Sequence, residues 1–155
     1  MRRRGRPKDN VYWGAFILKW FELLQTSNFT GTDYKVLFFL CSKMDPRTNN
    51  IYIKQIQIAQ ELHLDKGNVS KAIKKLRDEQ FIAKIQNGFM LNPNLFYVGK
   101  ARREDREDIR EQFDSLVEHP RFFMDEDEGQ LIDITDSPNT RRVRNIKDLK
   151  DMTDF

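Results

Sequence analysis

Between residues 54 and 98 the apolar positions change period along the chain, and the succession predicts a fold. Ile58, Ala59 and Leu62 recur at helical spacing, and the small Ala59 lets a second helix cross closely. Val69, Ile73 and Leu76 stand at i, i+4 and i+7, forming one seam of a helix over residues 66–79 with Asp65 as its N-cap. Ala59 and Val69 are ten residues apart, the separation expected when both pack inside one two-helix unit. The period then shortens. Residues 81–86 and 89–91 read as strands around Asn87-Gly88, a hairpin signal for which a type I′ turn is expected. Pro93 belongs at an edge or beyond the ladder.

Upstream, residues 11–26 bring Phe16, Trp20, Leu23 and Leu24 to one face of an amphipathic helix, with residues 11–13 reading equally well as an extended start. That face suits core packing or a dimer contact. Gly31 marks a turn, Thr32 is the natural N-cap of a helix over residues 33–44, and Val36 to Leu40 are apolar almost all round. Ile51-Tyr52-Ile53 alternates as a short strand. Downstream, Ile109, Phe113, Leu116 and Val117 recur at helical spacing among dense charge, supported by the i, i+4 pairs Arg103–Glu107 and Arg110–Asp114. That helix either packs back on the domain or meets a partner. Past Pro120 only Phe122-Phe123-Met124 and Leu131-Ile132 interrupt a polar stretch, which reads as mostly disordered.

The fold expected is therefore α+β and mainly α: a winged helix-turn-helix with a two-stranded wing and a C-terminal charged helix and tail. Its parts are a flexible basic arm (1–10), a winged helix-turn-helix DNA-binding domain (11–100), a charged amphipathic helix (101–118) and an acidic, largely disordered tail (119–155). The net charge of +3 conceals a strong polarity. Residues 1–10 carry five basic groups and one acid, residues 11–100 twelve and seven, and residues 101–155 ten and sixteen. A basic body followed by an acidic end predicts a polyanionic partner for the body.

Duplex DNA is the polyanion that this pattern fits. Turning away from the Val69–Ile73–Leu76 seam puts Gly67, Asn68, Lys71, Lys74, Lys75 and Asp78 on the opposite face. Asn68 suits adenine and Lys71 guanine, Lys74 and Lys75 suit phosphates, Ser70 can donate to a phosphate, and Lys66 completes the set. Arg77 lies at the flank, while Lys84 and the wing tip at Asn87 are placed for an adjacent backbone or minor groove. Arg2, Arg3, Arg4 and Arg6 form an arm of the kind that follows a groove. A solvated lysine-rich face gives the same composition, but the caps, the Ala–Val spacing and the hairpin all agree on one fold.

Catalysis, cofactor binding and metal binding find no constellation. Gly99-Lys100 lacks the other residues of a phosphate-binding loop, and His63 and His119 are far apart. Asp125 to Glu128 reads as solvated acid, with weak cation binding as the rival reading. Cys41, alone in an apolar run, reads as a buried free thiol in a reducing compartment. No apolar run is long enough to span a bilayer, so a cytoplasmic protein without membrane contact is expected.

At Ile58-Ala59, at residues 67–73 and at Gly88-Phe89-Met90-Leu91-Asn92-Pro93-Asn94-Leu95-Phe96 the sequence resembles the plasmid replication initiators of the RepL type. That family leads from its wing into a Gly-aromatic-x-x-Asn-Pro segment, an aromatic and a Gly-Lys like Val98-Gly99-Lys100. The resemblance covers about residues 30–100; the helix-turn-helix part is weakly specific and the Asn92-Pro93 segment more so. It implies a protein that binds duplex DNA at a plasmid origin and helps load host replication enzymes without being an enzyme itself. The DNA-facing set it carries over is Asn68, Ser70, Lys71 and Lys74. Host replication proteins and a second copy of the chain, docked through the aromatic first helix, are the further partners expected. Two other readings stand beside it: a winged-helix transcriptional regulator or copy-number repressor, and an adaptor that docks on proteins only.

Overall fold

Thr30 and Asp33 bond reciprocally at the start of the central helix: the Asp33 N–H donates to Thr30 Oγ1 at 3.3 Å and the Thr30 N–H to Asp33 Oδ2 at 2.8 Å. This capping box, with Phe29 stapled edge-on to Tyr34, starts the helix at Gly31. The cap is thus Thr30, not Thr32. The computed structural model describes residues 14–16, 18–98 and 102–135. In chain order it has β1 (Gly14–Phe16), α1 (Leu18–Thr26), α2 (Gly31–Lys43), β2 (Asn50–Ile51), α3 (Gln55–Leu62) and α4 (Lys66–Asp78). Then follow β3 (Ile82–Ile85), β4 (Gly88–Leu91), β5 (Phe96–Val98), α5 (Arg103–Asp114), β6 (Phe122–Asp125) and β7 (Gln130–Asp133). The class is α+β and mainly helical, with three small antiparallel sheets among the described residues.

α2 lies at the centre: Val36, Leu37 and Leu40 are wholly buried, and α4 packs on them through Val69, Ala72, Ile73 and Leu76. α3 crosses α4, with Ile58 and Ala59 turned inward. Trp20, Leu23 and Leu24 of α1 enter the same core, and the Trp20 ring stacks on Phe96 at 6.0 Å. The helix expected over residues 11–26 is shorter than that. Its first part is β1, whose backbone finds an edge to pair with in β5, Gly14 opposite Val98 and Phe16 opposite Phe96. A strand edge offering hydrogen bonds outweighs local helical periodicity here.

The hairpin after α4 belongs to a three-stranded sheet, order β2-β4-β3, so β2 joins the two strands expected of a wing. Ile85 pairs with Gly88, which leaves Gln86-Asn87 as the turn; only Asn87 has positive φ, at 64°. A type I′ turn needs both residues there, so that expectation fails. The Asn-Pro segment forms a buried turn into β5, where Asn92 Nδ2 donates to the Gln80 carbonyl at 2.8 Å and Asn92 Oδ1 accepts from the Asn94 N–H at 2.9 Å. Those asparagines hold the fold.

The tail expected from residue 119 differs most from the structure. Its described part is a hairpin, β6–β7, turned at Gly129 with φ 63°. Phe122 packs into the main core against Phe81, and Arg121 ties Glu79 at the end of α4 to Asp133 on β7. Residues 136–155 lie outside the described residues, as does the basic arm. No helix among the described residues is long and apolar enough to cross a membrane.

Candidate nucleic-acid interface

α4 begins where Asp65 accepts the Asn68 N–H at 3.2 Å, after a three-residue turn in which His63 adopts φ 54° and closes α3. Its inward seam is buried without remainder: Val69, Ala72 and Leu76 at 0% and Ile73 at 1%. A helix anchored along that whole length has a fixed azimuth, so its other face must meet solvent. Lys66, Gly67, Asn68, Ser70, Lys71, Lys74, Arg77 and Asp78 are all exposed.

Not every lysine on α4 is available. Lys75 leans back on α2, where its ammonium lies 3.4 Å from the buried Asp33 carboxylate and 5.7 Å from the Phe29 ring centre, and donates to the Asn28 carbonyl. It fastens the two helices, so the structure separates it from the open face on which helical spacing places it. Lys74 stays exposed and reaches Asp78 at 2.9 Å one turn on. Lys66 and Lys71 make no ion pair among the described residues.

β3 packs beside α4 and extends the surface. Lys84 is exposed with its ammonium 4.7 Å from the Phe89 ring centre, and Gln86 and Asn87 project at the turn. On the sheet's other face α5 covers Ala83 and Met90 with the fully buried Phe113, beside Ile85, Ile109 and Val117. The charged helix therefore packs back on the domain. Arg2, Arg3, Arg4 and Arg6 lie outside the described residues.

The remaining charge is engaged in structure. Glu126 receives Arg106 at 2.7 Å, Arg110 at 2.8 Å and Arg103 at 3.5 Å, and the hydrogen bonds from Arg106 foremost hold its carboxyl down to about 2. Arg110 thus turns to Glu126 and not to Asp114, the partner its spacing suggests. Asp114 is pushed up to about 6 by burial. The Cys41 thiol is pushed up to about 12 by burial, which suppresses the thiolate a nucleophile needs. Among the described residues no group of three or more His, Cys, Asp or Glu is placed to hold a metal.

Neither the curated proteins nor the solved structures contain a match to this chain. A family profile described as Firmicute plasmid replication protein (RepL) matches residues 9–134. It reaches well beyond residues 30–100 and takes in α1, α5 and the β6–β7 hairpin, which are thus parts of the family's shared region. The match covers most of the chain, and the chain belongs to the RepL family of plasmid replication proteins.

Proposed function

We propose that this plasmid replication protein is an initiator that binds duplex DNA at the origin, with α2 to β4 acting as a winged helix-turn-helix. α4 is the recognition helix and the β3–β4 turn the wing. One observation carries the reading: Lys66, Asn68, Ser70, Lys71 and Lys74 share the exposed side of a helix whose opposite side is fully buried. Asn68 and Lys71 address base edges, and Ser70, Lys66 and Lys74 address phosphates. Lys84 and Asn87 reach the neighbouring backbone, and the arginines of the arm extend the contact. Lys75 stays out of this set because Asp33 holds it. The protein acts by binding, without catalysis, and recruits host replication proteins once seated.

The test has two arms. Full-length protein is titrated against duplex fragments tiling its plasmid, and the reading frame is tested for rescue of a marker plasmid whose own origin is inactive. Tight, salt-sensitive binding to one fragment, lost by about a hundredfold in Lys71→Ala/Lys74→Ala along with replication, is the expected result. Unchanged duplex affinity in that variant would mean that α4 is the wrong surface. Binding with no rescue would turn the reading toward a copy-number repressor.

A further inference from the structure

Gly88 opens β4 directly after the wing turn, and no side chain fits there. A Cβ on it would lie 1.9 Å from the Ile51 carbonyl oxygen and 3.0 Å from Tyr52 Cα. The backbone at residues 51–52 is therefore pressed against the turn, and Tyr52 stands at its shoulder. The Tyr52 side chain is 68% exposed, the most of any described large hydrophobic residue. An aromatic ring kept in water gives up the burial that usually holds it, and tyrosines so placed are enriched on surfaces that meet a partner. This one is held: Asn50 Nδ2 donates to the Tyr52 hydroxyl at 3.2 Å. The phenol's own proton finds no acceptor among the described residues and is available to donate outward.

Two residues on, Lys54 is exposed and makes no ion pair among the described residues. Across the sheet Phe89 pairs with Ile51 on one side and Lys84 on the other, so Lys84 stands on the strand opposite the one that leads to Tyr52 and Lys54. Asp45 lines the same pocket as Tyr52, but Lys43 and Arg47 line it too and Arg47 lies 3.6 Å from the Asp45 carboxylate, so cations outnumber the acid there. That excess of donors calls for an external anion.

We infer that the Tyr52–Lys54 corner is a second contact to the DNA backbone. Its phenol O–H and its ammonium hold phosphates of one strand beyond those α4 reaches. This rests on the proposed reading of the chain as duplex-binding, and it makes the wing the middle of a continuous surface instead of its end. The corner contributes affinity and footprint length, not base discrimination, because phosphate contacts carry no sequence.

The test is Tyr52→Phe/Lys54→Gln, which keeps the ring and removes both donors, with Lys54→Gln alone as the milder variant. Each phosphate neutralised by a lysine or arginine contributes about 0.9 to the slope of log affinity against log salt, whereas a neutral phenol contributes affinity without changing the slope. The double variant should therefore bind about tenfold or more weakly and lower the slope by about 0.9, and Lys54→Gln alone should lower the slope equally with a smaller loss of affinity. Preference for specific over scrambled duplex should persist, and the hydroxyl-radical footprint should shorten on one flank. An unchanged slope and footprint, while Lys71→Ala/Lys74→Ala loses binding, would overturn the inference and leave the α4 reading standing. Loss in the corner variants with Lys71→Ala/Lys74→Ala intact would keep the corner and remove α4. A wild-type chain with no duplex affinity, or a corner that binds only an acidic protein surface, would remove the inference.

Discussion

Helix α4 carries four lysines and an arginine, and helix α5 carries three arginines and six carboxylates. Both are amphipathic and of nearly equal length, α4 built over a buried apolar seam and α5 anchored by the buried Phe113. Their cations face opposite ways. On α4 all but Lys75 stand in water, whereas on α5 Arg103, Arg106 and Arg110 converge on Glu126 of the C-terminal hairpin. Charge density on a helix therefore does not announce an interface. What matters is whether counter-charges within the fold satisfy it: α5 has Glu126 and Asp127 facing it, while Lys66 and Lys71 have no such partner among the described residues.

On that contrast, α5 should behave as structure and α4 as surface. The largest effect is expected at Phe113, whose ring is wholly enclosed between Ala83 and Met90. Phe113→Ala should cost about 3–5 kcal/mol in chemical denaturation. A loss below about 1 kcal/mol would mean that α5 is not docked on the β3–β4 hairpin. Next, Glu126→Gln leaves the buried Arg110 guanidinium without its anion and should cost about 2–3 kcal/mol at neutral pH. Glu126 sits near 2 in the fold and titrates higher when unfolded, so its contribution is complete above about pH 4.5 and fades as pH falls toward 2. The variant should therefore lose that part of the acid dependence, as thermal melts across pH would show.

Asp114 gives the opposite sign. Burial raises its carboxyl from an ordinary 3.8 to about 6, so its penalty is absent below about pH 3.8 and complete above about pH 6. Asp114→Asn should melt higher than wild type at pH 7 and equally at pH 3.5. A finer test lies within α4 itself. Lys75→Met removes the contact to Asp33 and should cost about 1 kcal/mol with duplex affinity little changed. Lys71→Ala should leave stability within about 0.5 kcal/mol while weakening binding. Equal behaviour of the two lysines would erase the distinction between fastening and reading.

How much of this is legible in the sequence follows the range of the forces. The seam of α4 and its Asp65 cap are local, and residues 65–76 carry them openly. The role of Lys75 depends on Asp33, more than forty residues earlier, which no helical periodicity reports. β1 reads as helix because its hydrogen-bond partner is a distant strand. The β6–β7 hairpin does leave a signal, two apolar runs around Gly129, but the acids between them make it look solvated. Three of those acids have partners: Glu126 and Asp127 pair with arginines, and Asp125 accepts the Asp127 N–H. Gly88 reads as a turn residue, whereas the approach of β2 demands it, and the Tyr52 corner that this approach creates has no local signature.

The pairing of β1 with β5 also sets a timetable. Gly14 stands opposite Val98 in the ladder, so the first described residues wait for a partner some eighty positions later on a chain made from its N-terminus. α2 through β4 can collect their contacts as they emerge, while closing the long loop back to β1 comes late and carries an entropic cost. Until then β5 is a bare strand edge, the kind of surface that recruits other unfinished chains. A chain trimmed to begin at α1 would keep that unfinished edge permanently.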